Sequence, residues 1–155
     1  MAADYSLITS FNALAERQVT DKILSCNETS EKYGLTLTPR QAQALSQTRT
    51  AALSDTKRIE LGGGIVDRLI LAFCTSPYMT KDNYESTLHE LVSLFYELKN
   101  ETWDTVSDDD LIAFMQKAFN DYCHGSLELL SGKAAELCEH IHRGGRIDTF
   151  SLEDT

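Results

Sequence analysis

The clearest pattern in the chain is DNYESTLHELVSLFYEL at residues 82–98, in which apolar side chains recur at intervals of three and four residues. The recurring positions are Tyr84, Leu88, Leu91, Phe95 and Leu98. Such spacing returns to the same face of an α-helix at every turn. A start at Thr80, or at Asp82 with Glu85 three residues on, is typical of a capped helix. The segment therefore predicts an amphipathic helix with one buried face.

The same periodicity predicts five further helices on either side of this segment. They cover about residues 14–33, 39–53, 64–75, 107–122 and 127–141, and Ser131 and Gly132 allow a break in the last of them. Thr38 and Gln41 have the spacing of a capping box, and Ser107 is placed as a helix cap. Gly34 and Gly125 are placed to end helices. We therefore predict an all-α, compact bundle of about six helices. Residues 35–37 and 58–61 alternate polar and apolar side chains, so the pattern also allows a minimal two-stranded ribbon.

The chain has the size of a single domain. Its 155 residues are 42% hydrophobic and 25% charged, which is typical of one soluble globular unit. A chain near this length buries enough surface to hold a core without metal or disulfide bonds. We assign residues 1–145 to one helical domain and residues 146–155 to a mobile C-terminal tail. Docking of the tail through Ile147, Phe150 and Leu152 is the alternative.

Net charge, the length of apolar stretches and the cysteine spacing together argue against several classes of partner and location. The formal net charge of -10 disfavours binding to nucleic acids and to anionic membrane surfaces. The longest apolar stretch, residues 69–74, is far too short to cross a bilayer. The first residues lack the form of a secretory signal, and the four cysteines contain no Cys-x-x-Cys pair. We therefore expect reduced thiols, no cofactor and a cytoplasmic location.

Three glycines before the third helix are a candidate anion site. Gly62, Gly63 and Gly64 would expose backbone N–H groups beside the positive end of a helix dipole, which favours an anion. Arg49 lies in the apolar stripe of the second helix and Arg58 follows that helix, so both cations are candidates to complete the site. The glycine spacing matches neither the P-loop nor the dinucleotide-binding motif, so no nucleotide fold is implied.

A structural role for Arg49 is the alternative. A guanidinium on an apolar helix face must find a carboxylate, phosphate or carbonyl partner, because its desolvation is otherwise unfavourable. Glu60 and Asp67 are the candidates for an internal partner. The glycines would then serve only a tight turn or a close helix contact.

Sulfur and imidazole side chains give a weaker hypothesis of a metal site. Cys138 and His142 are four residues apart, so they share a helix face. Cys123 or His124 would join them if the fifth and sixth helices form an antiparallel hairpin. His140 and His142 do not qualify as a pair, because they point about 160° apart around a regular helix. Packing and surface roles are more common for such residues than metal binding.

Six short segments of the chain form a recognisable set: CNE at 26–28, GLTLT at 34–38, ELGGGI at 60–65, SPY at 76–78, GS at 125–126 and LSG at 130–132. Together they resemble a family of small uncharacterised proteins, a domain of unknown function, from clostridia-type Gram-positive bacteria. The resemblance covers most of the chain, from the first helix to the sixth. It implies a bacterial intracellular protein and assigns no activity, cofactor or site residue.

The motifs favour binding over catalysis. The chain has no nucleophile-elbow motif Gly-x-Ser-x-Gly and no family-type cysteine signature. We therefore predict a non-enzymatic accessory or protein-interaction domain, whose negative charge suits a basic surface on a partner protein. A homo-oligomer is a further candidate. The alternative function is binding of a small anion or phosphate ligand, with or without catalysis, at the glycine turn and Arg49.

Overall fold

The computed structural model of the protein describes the backbone of residues 2–60 and 64–153 and the side chains of residues 13–60 and 64–153. Six helices of ten or more residues account for most of this part of the chain, and it contains no strand. They are α1 (Ala2–Ser25), α2 (Pro39–Asp55), α3 (Gly64–Phe73), α4 (Tyr84–Glu101), α5 (Asp108–Lys117) and α6 (Leu127–His142). The prediction of a compact all-α fold is confirmed. None of the described helices has both the length and the apolar composition needed to cross a membrane.

The helix α4 is the centre of the bundle. It packs against α2, α3, α5 and α6, whereas α1 packs against α2 and α3. All five positions of the predicted α4 stripe are buried. Four further α4 side chains are buried as well: Thr87, Val92, Tyr96 and Lys99. A helix with neighbours on several sides buries more than one face, and periodicity along a single stripe does not predict this.

Local capping sets several helix ends. The Thr38 hydroxyl accepts a hydrogen bond from the Gln41 N–H, and the Thr38 N–H donates to the Gln41 side chain, so the predicted capping box is confirmed. The Ser107 hydroxyl accepts from the Asp110 N–H, as a helix cap should. Gly34 has a left-handed φ of 75° and ends the two short helical turns that follow α1, Asn27–Ser30 and Glu31–Tyr33.

Some predicted helix bounds are wrong. The helix α1 begins at Ala2 rather than near residue 14, and α6 continues without a break through residues 131–132. Asp82 does not cap α4; instead Thr80 and Asn83 exchange hydrogen bonds in the turn before that helix. Four short helical turns complete the description: Asn27–Ser30, Glu31–Tyr33, Ala118–Tyr122 and Ile147–Thr149.

The two-stranded ribbon is absent from the described residues, and a side chain takes the place of a strand partner. The Asn27 side chain donates to the Leu37 carbonyl and accepts from the Leu37 N–H, both at 2.9 Å. These bonds satisfy the backbone of Leu37, while Leu35 and Leu37 are buried in the core. The predicted partner segment includes Leu61, which lies outside the described residues.

The segment after α6 lies against the bundle. Phe150 packs against Phe114 with 5.9 Å between ring centroids. Leu152 is buried, and its carbonyl accepts a hydrogen bond from Lys133 Nζ at 3.2 Å. These contacts correspond to the docking alternative for the tail. The mobility of residues 146–155 and the domain bounds at 1–145 stay predictions.

Candidate functional site

Arg49 is buried in an ion pair inside the bundle. Its Nε and Nη2 atoms donate to Glu60 Oε1 at 3.2 and 3.1 Å, and Nη2 also donates to the Glu60 carbonyl at 3.1 Å. The arginine is only 4% exposed, so these bonds compensate the desolvation of its charge. The alternative in which Arg49 pairs internally with Glu60 is confirmed.

Tyr96 completes this network. Its hydroxyl donates to Glu60 Oε1 at 2.8 Å. Burial is the main reason that the pKa of Tyr96 is raised above its usual range, and the adjacent Glu60 charge adds to it. The phenol therefore stays protonated at neutral pH and keeps its role as a hydrogen-bond donor.

Of the other residues predicted for the anion site, Arg58 also binds a carboxylate, and two of the three glycines lie outside the described residues. Arg58 makes a bidentate ion pair with Asp104, with nitrogen–oxygen distances of 2.8 and 2.6 Å. Hydrogen bonding from Arg58 lowers the pKa of Asp104. Gly64 is the first residue of α3, whereas Gly62 and Gly63 lie outside the described residues. A small-anion site stays a prediction, and both of its arginines already bind carboxylates.

The three predicted metal ligands do not form one group. Across residues 2–60 and 64–153, no group of three or more His, Cys, Asp or Glu side chains is arranged to hold a metal ion. His142 donates its Nε2–H to the Glu101 carbonyl. Cys123 is buried in the core, and Cys138 is half-buried on α6, one turn before His142. Spacing along α6 placed Cys138 and His142 on one face, but no third ligand among the described residues completes a metal site there.

Cys138 and His142 instead line a groove of 420 Å³ between α4 and α6. The α4 wall comprises Leu94, Glu97, Leu98 and Glu101. The α6 wall includes the small side chains of Ser131, Ala134, Ala135 and Cys138. A recess of 80 Å³ that shares Leu94, Glu97 and Ser131 extends the groove to Glu90 and Leu127. We call the two together the α4–α6 groove.

The rim of the α4–α6 groove is negatively charged. Glu90, Glu97 and Glu101 follow one another along α4 at intervals of seven and four residues, which places them on one side of the helix. Glu139 lines the groove from α6 and is paired with Arg143. Among the described residues, no Lys or Arg side chain lines the groove, and none of the three α4 glutamates forms an ion pair.

The thiol of Cys138 responds to this negative charge. Burial first, and then the charges of Glu101 and Glu97, raise the pKa of Cys138 to about 11. The thiol is therefore protonated at neutral pH and is a poor nucleophile or metal ligand in this state. The groove is suited to binding a cation or an apolar group rather than to thiolate chemistry.

The reactivity of Cys138 provides a test of this local electrostatics. We expect alkylation of Cys138 by iodoacetamide at pH 8 to be about tenfold or more slower than that of free cysteine, since the thiolate fraction is small. The rate should keep rising until the pH approaches 11. The double variant Glu97→Gln/Glu101→Gln should react faster at pH 8, because two charges that raise the pKa are removed. Site-resolved mass spectrometry measures the rates, and a plateau near pH 9 in the unmodified chain would contradict the assignment.

An exposed tryptophan lies at the His142 end of the groove. Trp103 follows α4 and stacks on His142, with ring centroids 4.4 Å apart and an interplanar angle of 18°. It is 62% exposed and has a left-handed φ of 56°, which is uncommon for a bulky residue. Tryptophan is enriched among the residues that dominate binding energy at protein interfaces. Helix periodicity does not indicate a role for Trp103, because the residue follows the last position of the α4 stripe.

Two other recesses give less indication of a ligand. The larger one, of 570 Å³, lies between α5 and residues 147–153, and both Lys117 and the acids Asp110 and Asp148 line it. This mixed charge does not favour one class of ligand. The other, of 360 Å³, lies between α2 and α4 and is lined by Asp55 and Glu97. Because Glu97 lines this recess and the α4–α6 groove, the acidic surface extends to both sides of the exposed edge of α4.

The groove does not follow from the sequence pattern, for an identifiable reason. Its glutamates belong to the polar face of α4, and a charged helix face is usually only solvated. A usable signal was nevertheless present. Glu90, Glu97 and Glu101 share one helix side, and none has a Lys or Arg three or four residues away to form a local ion pair.

Comparison with known proteins places the chain in a family without assigning an activity. No curated protein and no solved structure matches the chain. A family of unknown function, DUF6323, matches residues 22–147, a range that contains α2 through α6 and both walls of the groove. The chain therefore belongs to the family of unknown function DUF6323.

Proposed function

We propose that the protein is a non-enzymatic interaction domain that binds a positively charged partner protein through the α4–α6 groove. The observation that carries the proposal is a line of three glutamates, none of them ion-paired within the described part of the chain, along a groove with apolar and small side chains in its walls. Apolar area supplies affinity at protein interfaces, and complementary charge supplies rate and selectivity. An acidic groove therefore selects a basic partner.

The positions of these glutamates are unfavourable for the helix itself. Glu101 is the last residue of α4 and Glu97 lies one turn before it, at the end where the helix dipole disfavours negative charge. The two are also a like-charge pair at four-residue spacing, which destabilises a helix by about 0.2–0.5 kcal/mol. Residues that reduce stability without an internal partner are typical of binding surfaces.

The chemistry of the cysteines supports a reducing compartment. All four cysteines are free thiols, three of them buried. Disulfides are uncommon where cellular reductants keep thiols reduced, as in the cytoplasm. We place the protein in the cytoplasm of a Gram-positive bacterium, in line with the resemblance of its sequence motifs. The alternative, a small-anion role at Arg49, has less support because Arg49 and Arg58 are each paired with a carboxylate.

Affinity capture from the native cell with a charge-neutralised variant tests the proposal. The triple variant Glu90→Gln/Glu97→Gln/Glu101→Gln removes the three rim charges and keeps the side-chain shapes. We expect the unmodified chain to retain a basic protein that mass spectrometry identifies, and the triple variant to lose it. Because like charges and an unfavourable dipole contact are removed, the variant should also be more stable by about 0.5–1 kcal/mol. Loss of binding could then not be attributed to unfolding.

A matched control separates the groove from net charge. The variant Glu28→Gln/Glu31→Gln/Asp121→Asn changes the charge by the same amount at exposed positions that do not line the groove. It should retain the partner. If the control variant and the groove variant lose the partner equally, the attraction is a property of total charge and the groove assignment is wrong.

A further inference from the structure

We infer that the occupant of the α4–α6 groove is a cationic amphipathic α-helix about three turns long. This inference rests on the proposed function and specifies the partner's chemistry and shape. Three features of the groove lead to it: walls that offer no backbone hydrogen bonds, a wall of small side chains, and a fixed spacing of rim charges.

The walls favour a helical occupant over an extended one. Both walls are helices, whose backbone N–H and C=O groups bond within the helix. An extended peptide in such a groove would leave part of its own backbone without hydrogen-bond partners. The edge of a β-sheet would supply those partners, but a helix does not. A helix brings its backbone hydrogen bonds with it, so it enters the groove without that cost.

The α6 wall allows a third helix to approach closely. Ser131, Ala134, Ala135 and Cys138 recur at the three- and four-residue spacing of a helix ridge. Small side chains along a ridge let a neighbouring helix lie near. Leu94 and Leu98 from α4 provide apolar surface beside this ridge, so the apolar side chains of the occupant would pack against both.

The rim charges set a length and a spacing for the occupant. From Glu90 to Glu97 the rise along α4 is about 10 Å, and from Glu97 to Glu101 about 6 Å. An adjacent helix places Lys or Arg opposite all three glutamates when its basic residues have the same seven- and four-residue spacing, read in either direction. Trp103, exposed beside His142, then contacts the end of the occupant near Glu101.

Titration of the full chain with designed peptides tests the inference. The probe is a tryptophan-free helical peptide of about fifteen residues, with Leu along one face and Lys at seven- and four-residue spacing beside it. The control peptide has the same composition in an order without helical periodicity. Trp103 is the single tryptophan of the chain, so its fluorescence reports binding directly. We expect the helical peptide to bind about tenfold or more tightly than the control, with affinity that falls as salt is added.

The variants and a small polycation make the outcome decisive. The triple variant Glu90→Gln/Glu97→Gln/Glu101→Gln should weaken binding of the helical peptide by about tenfold, and the Glu28→Gln/Glu31→Gln/Asp121→Asn variant should not. Equal binding of both peptides, or binding of spermine alone, would overturn the helical occupant. If affinity capture depends on the groove while the helical peptide fails to bind, the inference is wrong and the proposed function stands. If capture itself does not depend on the groove, the proposed function fails.

Discussion

Replacement of Arg49 by methionine is expected to lower the free energy of unfolding by about 3 kcal/mol. The methionine fills a similar apolar volume, but it leaves the Glu60 carboxylate with Tyr96 as its remaining side-chain donor. Breaking a buried ion pair by removing one partner strands a charge, and this penalty is larger than the net contribution of the intact pair. Glu60 is 24% exposed and regains some hydration, which places the expected loss at the lower end of the usual range.

A second substitution distinguishes the stranded charge from lost packing. The double variant Arg49→Met/Glu60→Met removes both charges and should be more stable than Arg49→Met alone, since no unpaired carboxylate remains. Urea unfolding followed by circular dichroism measures all three chains. A loss below about 1 kcal/mol in the single variant, or a double variant that is no more stable, would contradict the assignment.

Inorganic phosphate tests the small-anion alternative in the same samples. A ligand that binds the folded chain raises its stability with the logarithm of ligand concentration. Phosphate bound at Arg49 would therefore stabilise the unmodified chain and not the Arg49→Met variant. Since the Arg49 guanidinium is already paired with Glu60, we expect phosphate to change the stability of the unmodified chain and of the Arg49→Met variant equally.

Substitution of Gly125 by alanine is expected to destabilise the protein by about 2–4 kcal/mol. Gly125 has a left-handed φ of 82°, which is strained for a residue with a Cβ atom. An added Cβ would also lie 2.5 Å from the Cβ and 2.7 Å from the Cγ of Tyr78. Those atoms are close to the Tyr78 backbone, and the Tyr78 ring packs against Phe119, so the tyrosine cannot move away without disturbing the core.

Gly132 provides the matched control. It lies in the middle of α6, and an added Cβ there meets no atom within 4 Å. Alanine is a better helix former than glycine, so Gly132→Ala should raise stability by about 0.5–1 kcal/mol. Denaturant unfolding of both variants provides the comparison. If Gly125→Ala proves as stable as the unmodified chain, neither the positive φ of Gly125 nor its close approach to Tyr78 constrains the turn between α5 and α6.

The parts of the fold that could be predicted depend on neighbours in sequence. The capping box at Thr38, the cap at Ser107 and the end at Gly34 are local arrangements, and each is present. The α4 stripe follows from helix periodicity and is buried throughout. The pairing of Arg49 with Glu60 was also within reach, because a buried guanidinium requires a partner and Glu60 was one of two candidates.

The parts that could not be predicted depend on contacts between distant segments. The ribbon does not form among the described residues, where the Asn27 side chain instead satisfies the backbone of Leu37, ten residues away. The groove exists because the fold places α6 beside α4. The sequence of either helix alone does not show on which side of Glu97 the other helix will pack. The proposed metal ligands illustrate the same limit, since helical spacing paired Cys138 with His142 but the hydrogen bond from His142 to Glu101 is a tertiary contact.

Hydroxyl-radical footprinting of the captured complex shows whether the partner occupies the α4–α6 groove. Trp103 and Tyr33 are both exposed aromatic side chains, at 62% and 53%, but only Trp103 lies at the end of the α4–α6 groove. We expect a bound partner to protect Trp103 and Cys138 from oxidation and to leave Tyr33 as reactive as in the free chain. Protection of Tyr33 with unchanged oxidation of Trp103 and Cys138 would show that the partner binds another face, and the groove would not be the binding site.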